Sequence, residues 1–149
     1  MSASYHTSPA NPYLASQVMS ASPIQLVTLL YDGIIRFLSA AHDGFFEVNP
    51  QARFETINNN LIRAQNIVTE LQACLDLEQG QAVARQLDSL YDFFNVTLRQ
   101  INSTKDPSVI MRIIHMVCEL RDAWKEISVQ SRPGVSNAQQ LNLNEPVVG

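Results

Sequence analysis

Charged side chains are scarce in this chain of 149 residues, of which only 16% are Asp, Glu, Lys or Arg. The formal net charge is −4, and no cluster of Lys or Arg occurs along the chain. We therefore expect no nucleic-acid partner, because affinity for nucleic acid depends on cations that neutralise phosphates. Since 46% of the residues are hydrophobic, so little charge predicts an apolar face at the surface.

Cysteines and long apolar runs are also few. The two cysteines, Cys74 and Cys118, cannot build a disulfide framework, and we interpret both as buried or half-buried thiols in a reducing cytosol. No run approaches the roughly 18 uninterrupted apolar residues of a membrane span. The N-terminus lacks the basic start and the apolar core of a secretory signal. These absences predict a cytosolic protein that does not insert into membranes.

Catalytic and metal-binding patterns are missing as well. The chain contains no paired Glu-x-x-His motif of a di-iron bundle, no phosphate-binding Gly-rich loop and no Gly-x-Ser-x-Gly elbow. His115 and Glu119 lie one helical turn apart, as do Asp88 and Asp92, and we interpret both pairs as solvated helix faces. The prediction is a protein that is not an enzyme and that holds no cofactor or metal.

Four segments do carry a strong pattern, in which apolar residues alternate at spacings of three and four. This spacing places them on one face of an α-helix and is not that of a strand. The second segment shows it most regularly, with Phe54, Ile57, Leu61, Ala64, Val68, Leu71 and Leu75. The corresponding positions are Val27, Leu30, Ile34, Leu38, Ala41 and Phe45 in the first, Val83, Leu87, Leu90, Phe94, Leu98 and Ile101 in the third, and Ile110, Ile113, Val117, Leu120, Trp124 and Ile127 in the fourth.

Capping residues mark where these helices begin. Ser22 and Gln25 have the spacing of a capping box, with Pro23 at the first helical position. Asn49-Pro50 and Asp106-Pro107 repeat the arrangement of a capping side chain before a proline, and Gly80 separates the second helix from the third. The predicted helices are 23–47, 50–76, 81–102 and 107–130.

Short connections between these helices force neighbours to run antiparallel. The predicted fold class is therefore all-α, an antiparallel up-down-up-down four-helix bundle. Its domain covers residues 22–130. A flexible leader, residues 1–21, precedes it, and a disordered polar tail, residues 131–149, follows it.

Further apolar residues lie outside the stripes, so that the helices carry more apolar surface than a bundle core needs. On the first helix the apolar arc covers about half of the cylinder, against roughly 100° for a core-facing stripe. We predict that such residues line grooves for a helix of a partner, although for each of them extra core volume is the alternative. Gly33 could likewise admit a neighbouring helix of the same bundle. The predicted groove residues are Leu26, Gly33, Ile35, Phe37, Ile62, Ile67, Phe93, Val96 and Met116.

An ordered set of short motifs resembles the flagellin export chaperones of the FliS family. It comprises Asn11-Pro12-Tyr13, Ser20-Ala21-Ser22-Pro23, Leu30-Tyr31-Asp32-Gly33, Arg63 to Val68, Leu90-Tyr91-Asp92 and Ala123 to Ile127. The chain departs from the family in its extended polar C-terminus and in Asn58-Asn59-Asn60.

The resemblance implies a non-catalytic helical bundle that holds the disordered C-terminal segment of cytoplasmic flagellin. Such a chaperone blocks premature polymerisation and presents its client to the flagellar export gate protein. By the same analogy, the leader around Tyr13 folds over part of the groove when no client is bound, or contacts the export machinery directly. The alternative function is a helical adaptor or a structural homodimer without an export role.

Overall fold

The structure is a computed structural model, and it describes residues 22–104 and 106–130, with only the backbone described at Ser128 and Gln130. Four helices follow one another: α1 (Pro23–Gly44), α2 (Pro50–Ala73), α3 (Gln81–Thr104) and α4 (Pro107–Gln130). No strand occurs in these two ranges. The predicted all-α four-helix bundle is confirmed. The predicted leader and tail lie outside the described residues.

Three helix ends differ from the prediction by two or three residues, whereas α4 has the predicted bounds. Helix α1 ends at Gly44 and not at residue 47. The chain then continues in tighter turns, because the backbone amides of Phe45, Phe46 and Glu47 each donate to the carbonyl three residues earlier, as in a 3₁₀-helix. Helix α2 ends at Ala73 and not at 76, and α3 extends to Thr104 and not only to 102.

The predicted caps are formed. The Gln25 amide donates to Ser22 Oγ over 3.2 Å, and Gln25 Oε1 accepts from the Ser22 amide over 2.9 Å. Asn49 Oδ1 accepts from two amides at the start of α2, at 2.9 and 3.0 Å. At α4, the hydroxyl and the amide of Ser108 donate to Asp106, and these bonds lower the pKa of its carboxyl. Each cap satisfies amides that the first helical turn leaves without a partner.

Gly80 ends the connection between α2 and α3, where the chain passes close to itself. A Cβ added at Gly80 would lie 2.6 Å from the Asp76 carbonyl oxygen and would clash with Ala84 Cβ. Gln81 follows with a φ of 55°, in the left-handed region that L-residues rarely adopt. The predicted break between the helices is therefore formed by a glycine that no other residue can replace without a shift.

The described residues form two compact units. The smaller unit includes the start of α1 up to Leu29 and the end of α4 from Trp124, and in it the buried Thr28 hydroxyl donates to the Gln25 carbonyl over 2.8 Å. The larger unit, residues 30–123, contains the core. Its buried apolar residues are Tyr31, Ile34, Leu38, Ala41, Ile57, Leu61, Ala64, Val68, Leu71, Ala84, Tyr91, Phe94, Leu98, Ile101, Ile110, Ile113 and Val117.

Neighbouring helices in the larger unit run antiparallel. On α1 and α2, Gly33 lies against Ile67 and Gly44 against Thr56, so residue numbers rise on one helix as they fall on the other. Between α2 and α3, Asn102 donates to Asn58 over 2.5 Å, and Asn95 donates to Thr69 over 3.1 Å. The short connections predicted this arrangement for these two helix pairs.

The apolar stripes identify most of the core but err near the helix ends. Phe54 and Val83 lie in the first turns of α2 and α3 and are exposed, and Ile127 near the end of α4 is exposed as well. A stripe marks a helix face, but burial also requires a second helix at the same level along the axis, and such a neighbour is often missing at a helix end. Conversely, Tyr31, Ala84 and Tyr91 are buried although they lie outside the predicted stripes.

Helix α1 is the one described helix that is long and apolar enough, by length and composition alone, to cross a membrane. The sequence prediction of no membrane span used a stricter criterion, an uninterrupted apolar run. In the structure, Tyr31, Ile34, Leu38 and Ala41 of α1 belong to the protein core.

Two buried tyrosines connect α1 to α3. The hydroxyl oxygens of Tyr31 and Tyr91 are 2.5 Å apart, so that one hydroxyl donates to the other. Burial raises the pKa of Tyr91 far above its ordinary value, and the hydrogen bond to Tyr31 raises it further. Tyr91 therefore stays neutral in the folded protein at any physiological pH.

We expect the free energy of unfolding to fall as the pH rises above about 10, the ordinary pKa of tyrosine. In the unfolded chain Tyr91 ionises at that pH, whereas the folded state resists ionisation because its Tyr91 pKa is raised. The stabilisation is complete below the unfolded pKa and is lost as pH rises towards the folded one. Urea unfolding of the wild type and of Tyr91→Phe over this alkaline range measures it. The same slope in both proteins would contradict the assignment.

Candidate partner-binding surface

The ten predicted partner-binding residues occupy different environments. Tyr13 lies outside the described residues, and Leu26, in the smaller unit, is partly exposed. The other eight are in the larger unit. Ile35 and Met116 are half-buried there, on α1 and α4.

Gly33, Phe37 and Ile67 meet where α1 packs against α2. A Cβ added at Gly33 would lie 2.9 Å from Ile67 Cδ1, so Gly33 is buried by that side chain. This contact favours the interpretation that Gly33 admits a helix of the same bundle. Phe37 and Ile67 are half-buried at this contact. The three residues contribute to intramolecular packing, which the helical projection alone could not distinguish from a groove.

Ile62, Phe93 and Val96 have their side chains on the surface, where they are 43%, 45% and 44% exposed. Phe93 and Val96 are three residues apart on α3, so their side chains lie on the same helix face. The Phe93 ring centroid is 6.1 Å from that of the fully buried Phe94, so the exposed ring is held by the core beneath it. Ile62 lies on α2. We call Phe93 and Val96 the apolar face.

The sequence analysis missed a second group of exposed apolar residues at the connection between α1 and α2. Phe46 and Val48 are 72% and 88% exposed, and Phe54 in the next turn is also exposed. The His42 ring lies 5.6 Å from that of Phe46. The signal that could have identified this group is the presence of two large apolar residues, Phe46 and Val48, in the five-residue connection 45–49, where polar residues are usual.

Few ion pairs constrain these surfaces. Arg121 of α4 binds Asp32 of α1 and Asp122, each over 3.2 Å. Burial lowers the pKa of Arg121, but its hydrogen bonds to Asp122 and Asp32 outweigh that effect and raise it above its ordinary value. His115 and Glu119 are 3.8 Å apart and well exposed, as predicted for a solvated pair.

Asp88 and Asp92 differ in part from the solvated acidic edge that was predicted. The side-chain amide of Gln72 on α2 donates to Asp88 Oδ1 over 2.9 Å and to Asp92 Oδ1 over 2.7 Å. Asp88 is half-buried, and only Asp92 is exposed. The two carboxylates therefore help to hold α2 against α3. Within the described ranges, no group of three or more His, Cys, Asp or Glu side chains could hold a metal ion.

Comparison with known proteins identifies the family of this chain. Residues 6–131 match the family model described as flagellar protein FliS. The chain is 31% identical over 112 residues to the flagellar secretion chaperone FliS of Vibrio cholerae, covering 75% of this chain and 79% of the relative. It is 32% identical over 124 residues to that of Bacillus subtilis, covering 81% and 88%. Identity to that of Salmonella typhimurium is 35% over 114 residues, covering 76% and 82%. The chain therefore belongs to the FliS family of flagellar secretion chaperones.

Proposed function

We propose that this protein is a cytosolic secretion chaperone that binds the disordered C-terminal segment of flagellin. By covering that segment it prevents premature polymerisation, and it delivers the client to the flagellar export gate. The observation that carries the proposal is the apolar face, which presents two large side chains, each about half exposed, on a protein with few charged residues. Membership of the FliS family supports it.

The apolar face suits a client that folds as it binds. A disordered segment with apolar residues at spacings of three and four becomes a helix whose apolar side can cover Phe93 and Val96. Completing the burial of each of these side chains contributes about 1 kcal/mol. Ordering the segment opposes this gain, so a client of this kind needs a large contact area.

The test is binding of a synthetic peptide with the sequence of the flagellin C-terminal segment. We expect one-to-one binding, and more helix in the circular dichroism spectrum of the mixture than in the sum of its parts. Phe93→Ala/Val96→Ala should weaken binding about tenfold, because the pair is expected to contribute roughly 1.4 kcal/mol or more. Val83→Ala is the matched control, since Val83 is an exposed apolar residue on the same helix, about three to four turns away.

Three results would contradict the proposal. The first is no gain in helicity together with no calorimetric heat at several temperatures. The second is an equal loss of affinity in Val83→Ala and in the double variant. The third is a loss of thermal stability in the double variant large enough to assign Phe93 and Val96 to the core. A two-to-two complex would instead support the adaptor or homodimer alternative.

A further inference from the structure

Arg36 on α1 and Arg63 on α2 converge on one aromatic ring. Their guanidinium carbons lie 5.2 Å and 5.8 Å from the centroid of the Phe37 ring between them. Both distances are within the range of a cation–π contact, which holds a guanidinium against the ring and so limits the freedom of a long side chain. We call Arg36 and Arg63 the arginine pair.

No carboxylate neutralises this pair among the described residues. The ion pairs in that part of the chain involve only Arg121 and His115, and both members of the arginine pair are exposed. Two like charges held around one ring repel each other unless an anion lies between or beside them. The pair is therefore a local positive site on a protein whose formal net charge is −4.

Arg63 also borders a surface depression of about 580 Å³ along the first half of α2. Its other lining residues are Asn49, Gln51, Ala52, Glu55, Thr56, Asn59 and Asn60. Glu55 is the one carboxylate there, and it lies beyond ion-pair distance of Arg63. The depression thus offers mostly neutral polar groups next to a guanidinium.

The three residues of the Asn58-Asn59-Asn60 run, to which the sequence assigned no role, have different contacts in the structure. Asn58 accepts a hydrogen bond from Asn102 on α3, and the Asn60 amide donates to the Thr56 carbonyl over 2.7 Å. Asn59 is exposed in the depression and its side chain forms no hydrogen bond with another described residue. Its carboxamide remains a free donor beside Arg63, one turn away on the same helix.

We propose that the arginine pair and Asn59 form a second interaction site, separate from the apolar face, for an acidic segment of a protein partner. Guanidinium groups bind carboxylates through two parallel hydrogen bonds, and a carboxamide N–H can add a third. Two cations on an acidic protein are too few for nucleic acid, which requires many phosphates to be neutralised together. Side-chain carboxylates of Asp and Glu therefore fit this site best.

The experiment uses an acetylated hexaglutamate peptide as the probe, titrated into the full chain at low salt and followed by amide NMR shifts. Arg36→Gln/Arg63→Gln should weaken binding about tenfold, a combined effect that lies within the measured range for two exposed ion pairs. Arg85→Gln/Arg99→Gln is the matched control, because both arginines are exposed, lie on α3 and have no aromatic contact within the described residues. We expect it to change affinity less than twofold, roughly the effect of net charge alone.

Two further variants sharpen the test. Phe37→Leu retains both charges but removes the ring, and should weaken binding about twofold to threefold because the guanidiniums lose their orientation. Phe93→Ala/Val96→Ala should leave hexaglutamate binding unchanged, so the test of this site is independent of the test of flagellin binding. Equal weakening in the two arginine double variants would overturn the proposal. The proposal would also be overturned if inorganic phosphate or a deoxythymidine oligonucleotide competed for the site as effectively as hexaglutamate does.

Discussion

Leu61→Ala should lower the free energy of unfolding by about 2–5 kcal/mol, whereas Ile62→Ala should leave it nearly unchanged. The two residues are adjacent on α2, but Leu61 is fully buried and Ile62 is 43% exposed. Removing the Leu61 side chain leaves a cavity among packed neighbours, and the bundle can collapse into it only in part. The exposed side of Ile62 leaves no enclosed cavity, since solvent can occupy part of the space.

Urea unfolding of the two variants and the wild type, followed by circular dichroism, measures this difference. The helix propensity of Ala is at least that of Leu or Ile, so a loss of stability in Leu61→Ala reports packing and not helix formation. The client assay then supplies the second half of the comparison, because Ile62→Ala should bind the flagellin peptide less tightly. If Ile62→Ala proves as destabilising as Leu61→Ala, Ile62 belongs to the core and is not a partner-binding residue.

Tyr31→Phe should lower the free energy of unfolding by about 1–3 kcal/mol, because it leaves a buried hydroxyl without its hydrogen bond. The hydroxyl of Tyr91 bonds to that of Tyr31 over 2.5 Å, and Tyr91 is only 2% exposed. In the variant this hydroxyl stays desolvated and loses its partner. The change removes one oxygen atom and leaves the ring packing intact.

The double variant Tyr31→Phe/Tyr91→Phe provides the control. It also removes the Tyr91 hydroxyl that Tyr31→Phe leaves buried without its hydrogen bond, so we expect it to be more stable than Tyr31→Phe. A double-mutant cycle from urea unfolding gives the coupling free energy between the two hydroxyls. Strict additivity of the two single changes would show that the hydroxyls act independently and would contradict the assignment.

Local rules predicted the helix starts correctly because the groups involved are close along the chain. Ser22 and Gln25 form their capping box, and Asn49 caps α2, from residues within three positions of one another. The helix ends were harder to predict. Phe45 and Phe46 continue the apolar pattern of α1. The amides of Phe45 to Glu47, however, donate to the carbonyl three residues earlier, and composition does not reveal this.

The candidate sites show the same division. Periodicity identified Gly33, Phe37, Ile67 and Phe93 as apolar positions outside the stripes, but only the packing of α1 on α2 covers Gly33 with Ile67 and leaves Phe93 exposed. Arg36 and Arg63 are 27 positions apart in the sequence, and neither spacing nor motif relates them to Phe37. Their convergence depends on the antiparallel register of two helices.

The sequence by itself therefore determined the all-α class, the four helices, most core positions and the resemblance to the FliS family. These follow from short-range chemistry: caps, glycine breaks and apolar spacing act within one or two helical turns. The tertiary structure decided which off-stripe residues face a neighbouring helix, which face solvent, and which polar groups from different helices meet. The physical reason is that burial depends on what covers a side chain, and the covering atoms come from residues that are distant in the sequence.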